Sequence, residues 1–530
     1  MRTRGFRQAA YAPAATAGRV FADELAGLVR HLGVRDCFGV GGDSIAPVVD
    51  ALGRAELNQF HCRNEGGAMF AAAEASLAAQ RPCLVFTNTG PGLTNALTGV
   101  LTARDEGAQV ILVSAATPVH RRGAFPAQET HHLELGRDLF EPGPLFDFAG
   151  SVERPGAFGE LAHQLASGLA RPHGYVAHVS VPLDVQTMPS IAPRPLPGRP
   201  LTRWNCSRAS MAECVRVLGG DHSAVLWIGY GARHAAAEVL ELAHRTGVAV
   251  MCSARAKGIY PEDSDQFLGV TGRGGHRRVT DYFERNRPDY VIVLGSRLGE
   301  TTSGWRAELV PGKAFIHVDM DPSVFGRAYP YADTFGIPCE IGIFLDSLLA
   351  QLPGDIKRRT PEVTRPFPPP LDEPVSGAVR PQVLMDHLQR LVVRPGAATI
   401  MAEPGSARRW CDHWLRIPEP GRYRTTAGFA AAGSMAAGAA GAAAATGRKT
   451  LAVVTDLHPE LVSAVHWNAP AIWLVLNEAE KPARIDYAQL ARAVGAAALT
   501  VETECHLSEA LTTALNSPTP FVLDVLVRRS

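Results

Sequence analysis

The sequence predicts an α/β chain of three doubly wound domains with mainly parallel sheets, and three observations predict it. Short uninterrupted apolar runs rich in branched residues, such as CLVF at 83–86 and VILVSA at 110–115, suit strands buried on both faces, as parallel strands are. Glycine turns and helical spacing follow such runs, and the alternation restarts twice further along the chain. Proline-rich stretches separate the restarts: SIAPRPLPGRPL at 190–201 and RRTPEVTRPFPPPLDEP at 358–374. Domains are therefore expected at 18–187, 206–355 and 379–530, with a tail at 1–17 and linkers at 188–205 and 356–378. A length of 530 residues agrees with about three cores.

Composition narrows the function classes. Lys plus Arg (52) equals Asp plus Glu (52), so no net field draws nucleic acid or an anionic membrane, and neither is expected as a partner. No window reaches 18 apolar residues; AAAGSMAAGAAGAAAA at 430–445 comes nearest, and its small residues suit a helix packed tightly inside a protein. Nine cysteines without a CxxC or a histidine at metal spacing read as reduced core residues of a cytoplasmic protein. The first twenty residues, rich in Arg and Ala, lack a secretory apolar run and read as a mobile tail.

In the first domain, FADELAGLVRHLGV sets Leu25, Leu28, Val29 and Leu32 at helical spacing and leads into the strand DCFGV and a turn at Gly41 and Gly42. From His61 to Thr117 the chain reads as helix, strand, glycine turn, helix and strand. Glu65 heads the first of those helices, and TGPGLTN supplies Gly90 and Gly92, whose turn brings backbone N–H groups close to whatever sits above the sheet. Taken alone, Glu65 reads as an acid complementing a helix dipole. Near the end of a doubly wound sheet, where such folds bind ligands, it is a candidate site residue.

RNEGGAMFAAAEAS, with TNTGPGLTNALTGVLTARDEGAQVILVSAATP, resembles the pyrimidine-binding domain of the thiamine diphosphate enzymes, specifically the acetolactate synthase and 2-oxo acid decarboxylase superfamily. The resemblance implies that Glu65 hydrogen-bonds a ring nitrogen of the aminopyrimidine. That bond favours the imino tautomer, which removes the proton from the cofactor's own thiazolium carbon. FGVGGDSIAPVVDAL resembles the family's first strand and turn, with Gly41 where a proline is common. HRRGAFPAQETHHLEL resembles its active-site loop and implies that Gln128 faces the cofactor. His131 and His132 have no counterpart there; they read as solvated loop histidines that can move protons near neutral pH.

The second domain offers four strands, SAVLWIGYGA, VAVMCSA, YVIVLGSRLGE and AFIHVDMDP, and resembles the family's central domain. Some members carry FAD there, and in others the domain is structural. GYGARHA lacks the full dinucleotide fingerprint, which favours the structural role; Arg297 is the residue to meet a flavin phosphate.

ATIMAEPGSARRW, TTAGFAAAGSMAAGAAGAAAATGRKTLAVVTD and IDYAQLARAVGA follow the order of the family's diphosphate-binding domain. The resemblance implies that Gly405, Ser406, Gly428, Ala430 and Ala432 face the cofactor and that Asp456, Asn477 and Glu478 hold Mg²⁺, a cation that takes oxygen ligands and a phosphate partner. The chain also departs from the pattern. Thr455 and Leu457 flank Asp456 where glycines are usual, the turn is short before PELVSAVHW, and Glu478 stands where an asparagine ligates. Without a metal, a carboxylate about 6 Å from each diphosphate charge costs roughly 3 kcal/mol per pair at an effective dielectric near 20. Ala432 replaces a bulky residue, commonly Met, and the covering segment is cut to AEKPAR. Two readings stand. One is a thiamine diphosphate- and Mg²⁺-dependent decarboxylase or carboligase acting on a 2-oxo acid, as a homodimer or homotetramer. The other is a cofactor-free homologue that serves as a partner subunit or scaffold, in a heteromer with an intact thiamine diphosphate subunit, or that reuses the pocket for non-thiamine chemistry with Glu65 or the histidines as general acid or base.

Overall fold

The computed structural model describes residues 19–189, 195–200, 204–353, 356, 377–480 and 484–528. The expected tail at 1–17, part of the first linker, most of the second, and residues 481–483 of the shortened covering segment lie outside the described residues.

The apolar runs form the strands of three six-stranded sheets, and every strand pairing is parallel. The first sheet takes β1 (Asp36–Gly39), β2 (Asn58–His61), β3 (Cys83–Thr87), β4 (Gln109–Ala116), β5 (Phe148–Ser151) and β6 (Tyr175–Pro182) in the order β2-β1-β3-β4-β6-β5. Helices cover both faces, so β6 is buried along its whole length. The second sheet takes β7 (Ala224–Ile228), β8 (Ala249–Cys252), β9 (Phe267–Val270), β10 (Tyr290–Leu294), β11 (Ala314–Asp319) and β12 (Thr334–Pro338) in the order β12-β11-β10-β7-β8-β9. The four strands expected there are present, and β9 and β12 add the two edges.

The third sheet takes β13 (Thr399–Ala402), β14 (Tyr423–Thr425), β15 (Thr450–Val454), β16 (Ala471–Glu478), β17 (Ala497–Val501) and β18 (Phe521–Val527) in the order β14-β13-β15-β16-β18-β17. Its strand order repeats that of the first sheet. In each order the chain turns back between its first and third strands, β1 and β3 in the first sheet and β13 and β15 in the third, the switch point at whose carboxyl ends such folds bind ligands.

Seven helices matter for the site: α1 (Phe21–His31), α2 (Glu65–Ala79), α3 (Leu97–Glu106), α4 (Ser406–Trp414), α5 (Ser434–Thr446), α6 (Glu460–Trp467) and α7 (Tyr487–Ala493). Leu25, Leu28 and Val29 of α1 are buried, as their spacing predicts. The alanine- and glycine-rich stretch forms α5, which packs inside the protein against α2. Small side chains let the two backbones approach. A Cβ built on Gly441 would lie 2.2 Å from the backbone oxygen of Ala71. Gly441→Val is therefore expected to push the helices apart and cost about 1–3 kcal/mol, read as a lower thermal midpoint; an unchanged midpoint would mean that the contact gives way freely.

One buried ion pair joins all three domains. Arg424 on β14 donates to both oxygens of Glu74 on α2, at 2.8 and 3.0 Å, and its remaining nitrogen donates to the Tyr230 hydroxyl at 2.7 Å. Seven of the nine cysteines are buried as expected; Cys206 is partly exposed and Cys505 exposed, because Cys505 falls in a surface turn before the last helix.

Candidate active site

Glu65 begins α2 because Asn64 caps it: the Asn64 side chain accepts from the backbone of Gly66 at 2.8 Å and of Gly67 at 3.4 Å. The Glu65 carboxylate is buried. Its Oε2 accepts from Asn95 Nδ2 at 3.1 Å, while Oε1 has no hydrogen-bond partner among the described residues. That oxygen faces the glycine turn, since a Cβ on Gly92 would sit 3.5 Å from it.

The turn itself is held from above. Gly90, at φ +57°, donates its N–H to Thr130 Oγ1 at 2.5 Å, and the Thr89 hydroxyl donates to Gln128 Oε1 at 3.1 Å. Gln128 is exposed and thus lies over Gly90. The expectation for His131 is corrected: it is buried, its Nε2 lies 3.0 Å from Glu129 and its Nδ1 accepts from the backbone of Leu133. The ring braces the loop from inside, whereas His132 is exposed as expected. In the first turn, Gly41 has room for a side chain; the constrained residue is Gly42, where a Cβ would fall 2.1 Å from Asn88 Nδ2.

The other half-site gathers at the carboxyl ends of β13, β15 and β16. The pairing of β15 with β16 ends at Val454–Val475, and Asp456 and Asn477 each follow that pair by two residues. Asn477 gives both amide hydrogens away, to Asp524 Oδ1 at 2.8 Å and to the backbone oxygen of Ile485 at 2.9 Å, which leaves its carbonyl oxygen as the free atom. Asp456 is exposed and accepts from the backbone of Leu457 at 2.8 Å. Burial, then the neighbouring Asp456 carboxylate, push the Tyr487 hydroxyl up to about 12. Among the described residues no three His, Cys, Asp or Glu side chains cluster as a metal site. The donors present are the Asp456 carboxylate, the Asn477 carbonyl and Glu478, all oxygen, which fits a hard cation such as Mg²⁺.

Leu457 is less of an obstacle than its position suggests. Its side chain is partly buried against the core cluster that contains Val454 and Leu461. Gly405, at φ +110°, opens α4, and the N–H groups of Ser406 and Ala407 have no acceptor among the described residues. Phosphate oxygens suit such a helix start. The start of α5 is already satisfied, because Glu403 accepts from Gly433 at 2.7 Å and from Ala436 at 3.0 Å, and burial raises this carboxyl to about 7. Gly428, Ala430 and Ala432 are exposed on the approach to α5, and Phe429 among them is 42% exposed.

Several hydrogen bonds tie the first and third domains together, and those nearest Glu65 are made by Glu460. Fully buried at the head of α6, it accepts from the backbone of Arg63 and Asn64, both at 3.1 Å, immediately before Glu65. Burial pushes its carboxyl upward. Arg297 answers to a different partner than a flavin phosphate: it donates to Asp105 of α3 at 2.7 Å. Sequence reasoning missed Asn95, Glu403 and Glu460. Of these, Asn95 alone carried a local signal, as a polar residue closing the glycine turn.

Three descriptions of one family match along the chain. The N-terminal TPP binding domain of thiamine pyrophosphate enzymes matches residues 19–138, the central domain 211–348 and the C-terminal TPP binding domain 478–525. The chain belongs to the thiamine pyrophosphate enzyme family. Similar proteins include the acetolactate synthase of Mycobacterium bovis, 27% identical over 432 residues that span 78% of this chain and 68% of that one. The large subunit of Escherichia coli acetolactate synthase isozyme 1 is 24% identical and spans 93% of this chain and 92% of its own. In fold, the chain resembles a structure from Mycobacterium smegmatis described as a thiamin diphosphate-dependent enzyme, with a TM-score of 0.84, 20% identity and coverage of 96% and 100%. As a thiamine pyrophosphate enzyme fold, its first and third sheets correspond to the two TPP-binding domains. No described helix is long and apolar enough to cross a membrane.

Proposed function

We propose that this chain is a thiamine diphosphate- and Mg²⁺-dependent decarboxylase or carboligase acting on a 2-oxo acid, in the manner of acetolactate synthase. The observation that carries the reading is Glu65: a buried carboxylate with one oxygen held by Asn95 and the other without a partner, at the crevice of the first sheet. When bound, thiamine diphosphate supplies the carbon nucleophile and the electron sink for loss of CO₂ from a 2-oxo acid. The chain's own residues bind and orient. With the cofactor bound, Glu65 Oε1 would hydrogen-bond a ring nitrogen; Asn95 fixes the carboxylate, and Gln128 stands over the glycine turn. Ser406 and Ala407 would offer N–H groups to the diphosphate, and Asp456, Asn477 and Glu478 would hold the cation. The exposed segment from Gly428 to Ala432 leaves the third-domain half-site uncovered within one chain, which supports completion of each site by a second copy.

Calorimetric titration with thiamine diphosphate, with and without Mg²⁺, tests the reading. Micromolar binding that requires the metal is expected. No binding under either condition would sink it and leave the cofactor-free reading, as a partner subunit or as a reused pocket.

A further inference from the structure

Asp105 and Glu106 close α3 in its last turn, where acids oppose the helix dipole and need a compensating partner. The partners come from the other two domains. Asp105 Oδ2 accepts from the backbone of Gly428 at 2.6 Å and of Phe429 at 2.8 Å, and its Oδ1 accepts from Arg297 at 2.7 Å. Glu106 accepts from the backbone of Ala427 and pairs with Arg255 at 2.6 Å. Thr301, four residues beyond Arg297, donates to the carbonyl of Ala427 at 3.3 Å. Three consecutive backbone N–H groups are thus held by two consecutive acids, and what they hold is the start of the segment that runs through Ala430 and Ala432 to α5. The pKa directions agree with these roles: burial opposes ionisation of Asp105, but Arg297 and the two backbone donors bring its carboxyl below the usual range.

We propose that Asp105 and Glu106 are positioning residues that set the 427–433 segment against the cofactor, and that Arg297 of the central domain tunes this setting through Asp105. The inference rests on the thiamine diphosphate reading for its functional consequence and on the hydrogen bonds alone for the clasp. The central domain then has a part in the site: it supplies the guanidinium that holds Asp105 in place.

Asp105→Asn tests this, because it keeps the shape of the side chain while weakening the charge-assisted bonds. Two quantities are read on the full-length protein: amide hydrogen exchange of the peptide spanning 426–434, and the calorimetric Kd for thiamine diphosphate with Mg²⁺. Exchange is expected to quicken about tenfold or more, with Kd rising by a similar factor. Exchange across β3 and β4 should stay the same. Arg297→Ala, which removes a half-exposed pair, should shift both by only about two- to fivefold. Unchanged exchange at 426–434 would overturn the clasp whether or not the wild-type protein binds the cofactor. Faster exchange with an unaltered Kd would overturn the positioning role. Should the wild type bind no thiamine diphosphate, the functional reading falls, and faster exchange in Asp105→Asn still establishes the clasp.

Discussion

Glu65→Gln is expected to lower turnover of a 2-oxo acid by about 10²- to 10⁴-fold while leaving the protein folded. The amide keeps the size of the carboxylate, and its oxygen still accepts from Asn95. Its nitrogen, turned toward Gly92, cannot give up and retake a proton as Oε1 can. Loss of turnover with an unchanged melting temperature and a thiamine diphosphate affinity within about tenfold of wild type would place the effect on proton transfer. Undiminished turnover would remove Glu65 from the mechanism and with it the main support for the proposed activity.

The largest effect on stability is expected from Glu74→Ala, at about 3–5 kcal/mol. Arg424 and Glu74 are 6% and 3% exposed in their side chains, and removing the acid strands a guanidinium far from water with the Tyr230 hydroxyl as its remaining strong partner. Most of the cost is that stranded charge. Replacing both members with apolar residues of similar volume should therefore recover much of the loss. Denaturant and thermal unfolding of the single and double variants distinguish the two: a single variant that loses less than about 1 kcal/mol would show that Arg424 finds water or another acid.

Much of this was legible in the sequence where signals are local. CLVF and VILVSA predicted β3 and β4 because strands buried on both faces need unbroken apolar runs, and the glycine turn between them marked the crevice. The edge strands were not legible. NQFH in β2 and TFGIP in β12 are half-exposed and carry no such run, and YRT in β14 is three residues long. At the site, Glu65, Gly90 and Asp456 stood at the ends of recognisable elements. Their supports did not, because these lie hundreds of residues away: Glu460 reaches Arg63 and Asn64, and Asp105 reaches Gly428, across domain boundaries that no periodicity records. His131 shows the opposite error. A loop histidine reads as solvated, but the next turn folds back over it and Glu129 supplies a partner.

The contact between α2 and α5 bears on how this chain can be divided. From Glu65 to Leu77, α2 is buried all the way round, and much of that cover is the Gly438 and Gly441 face of α5, more than 350 positions later in the chain. Neither helix has a polar side to present to water. A fragment ending in the second linker would keep an intact first sheet and yet expose an apolar helix along its length, a sticky surface. Although the chain is drawn as three domains, its first and third share one buried helix pair and so are expected to fold and unfold together.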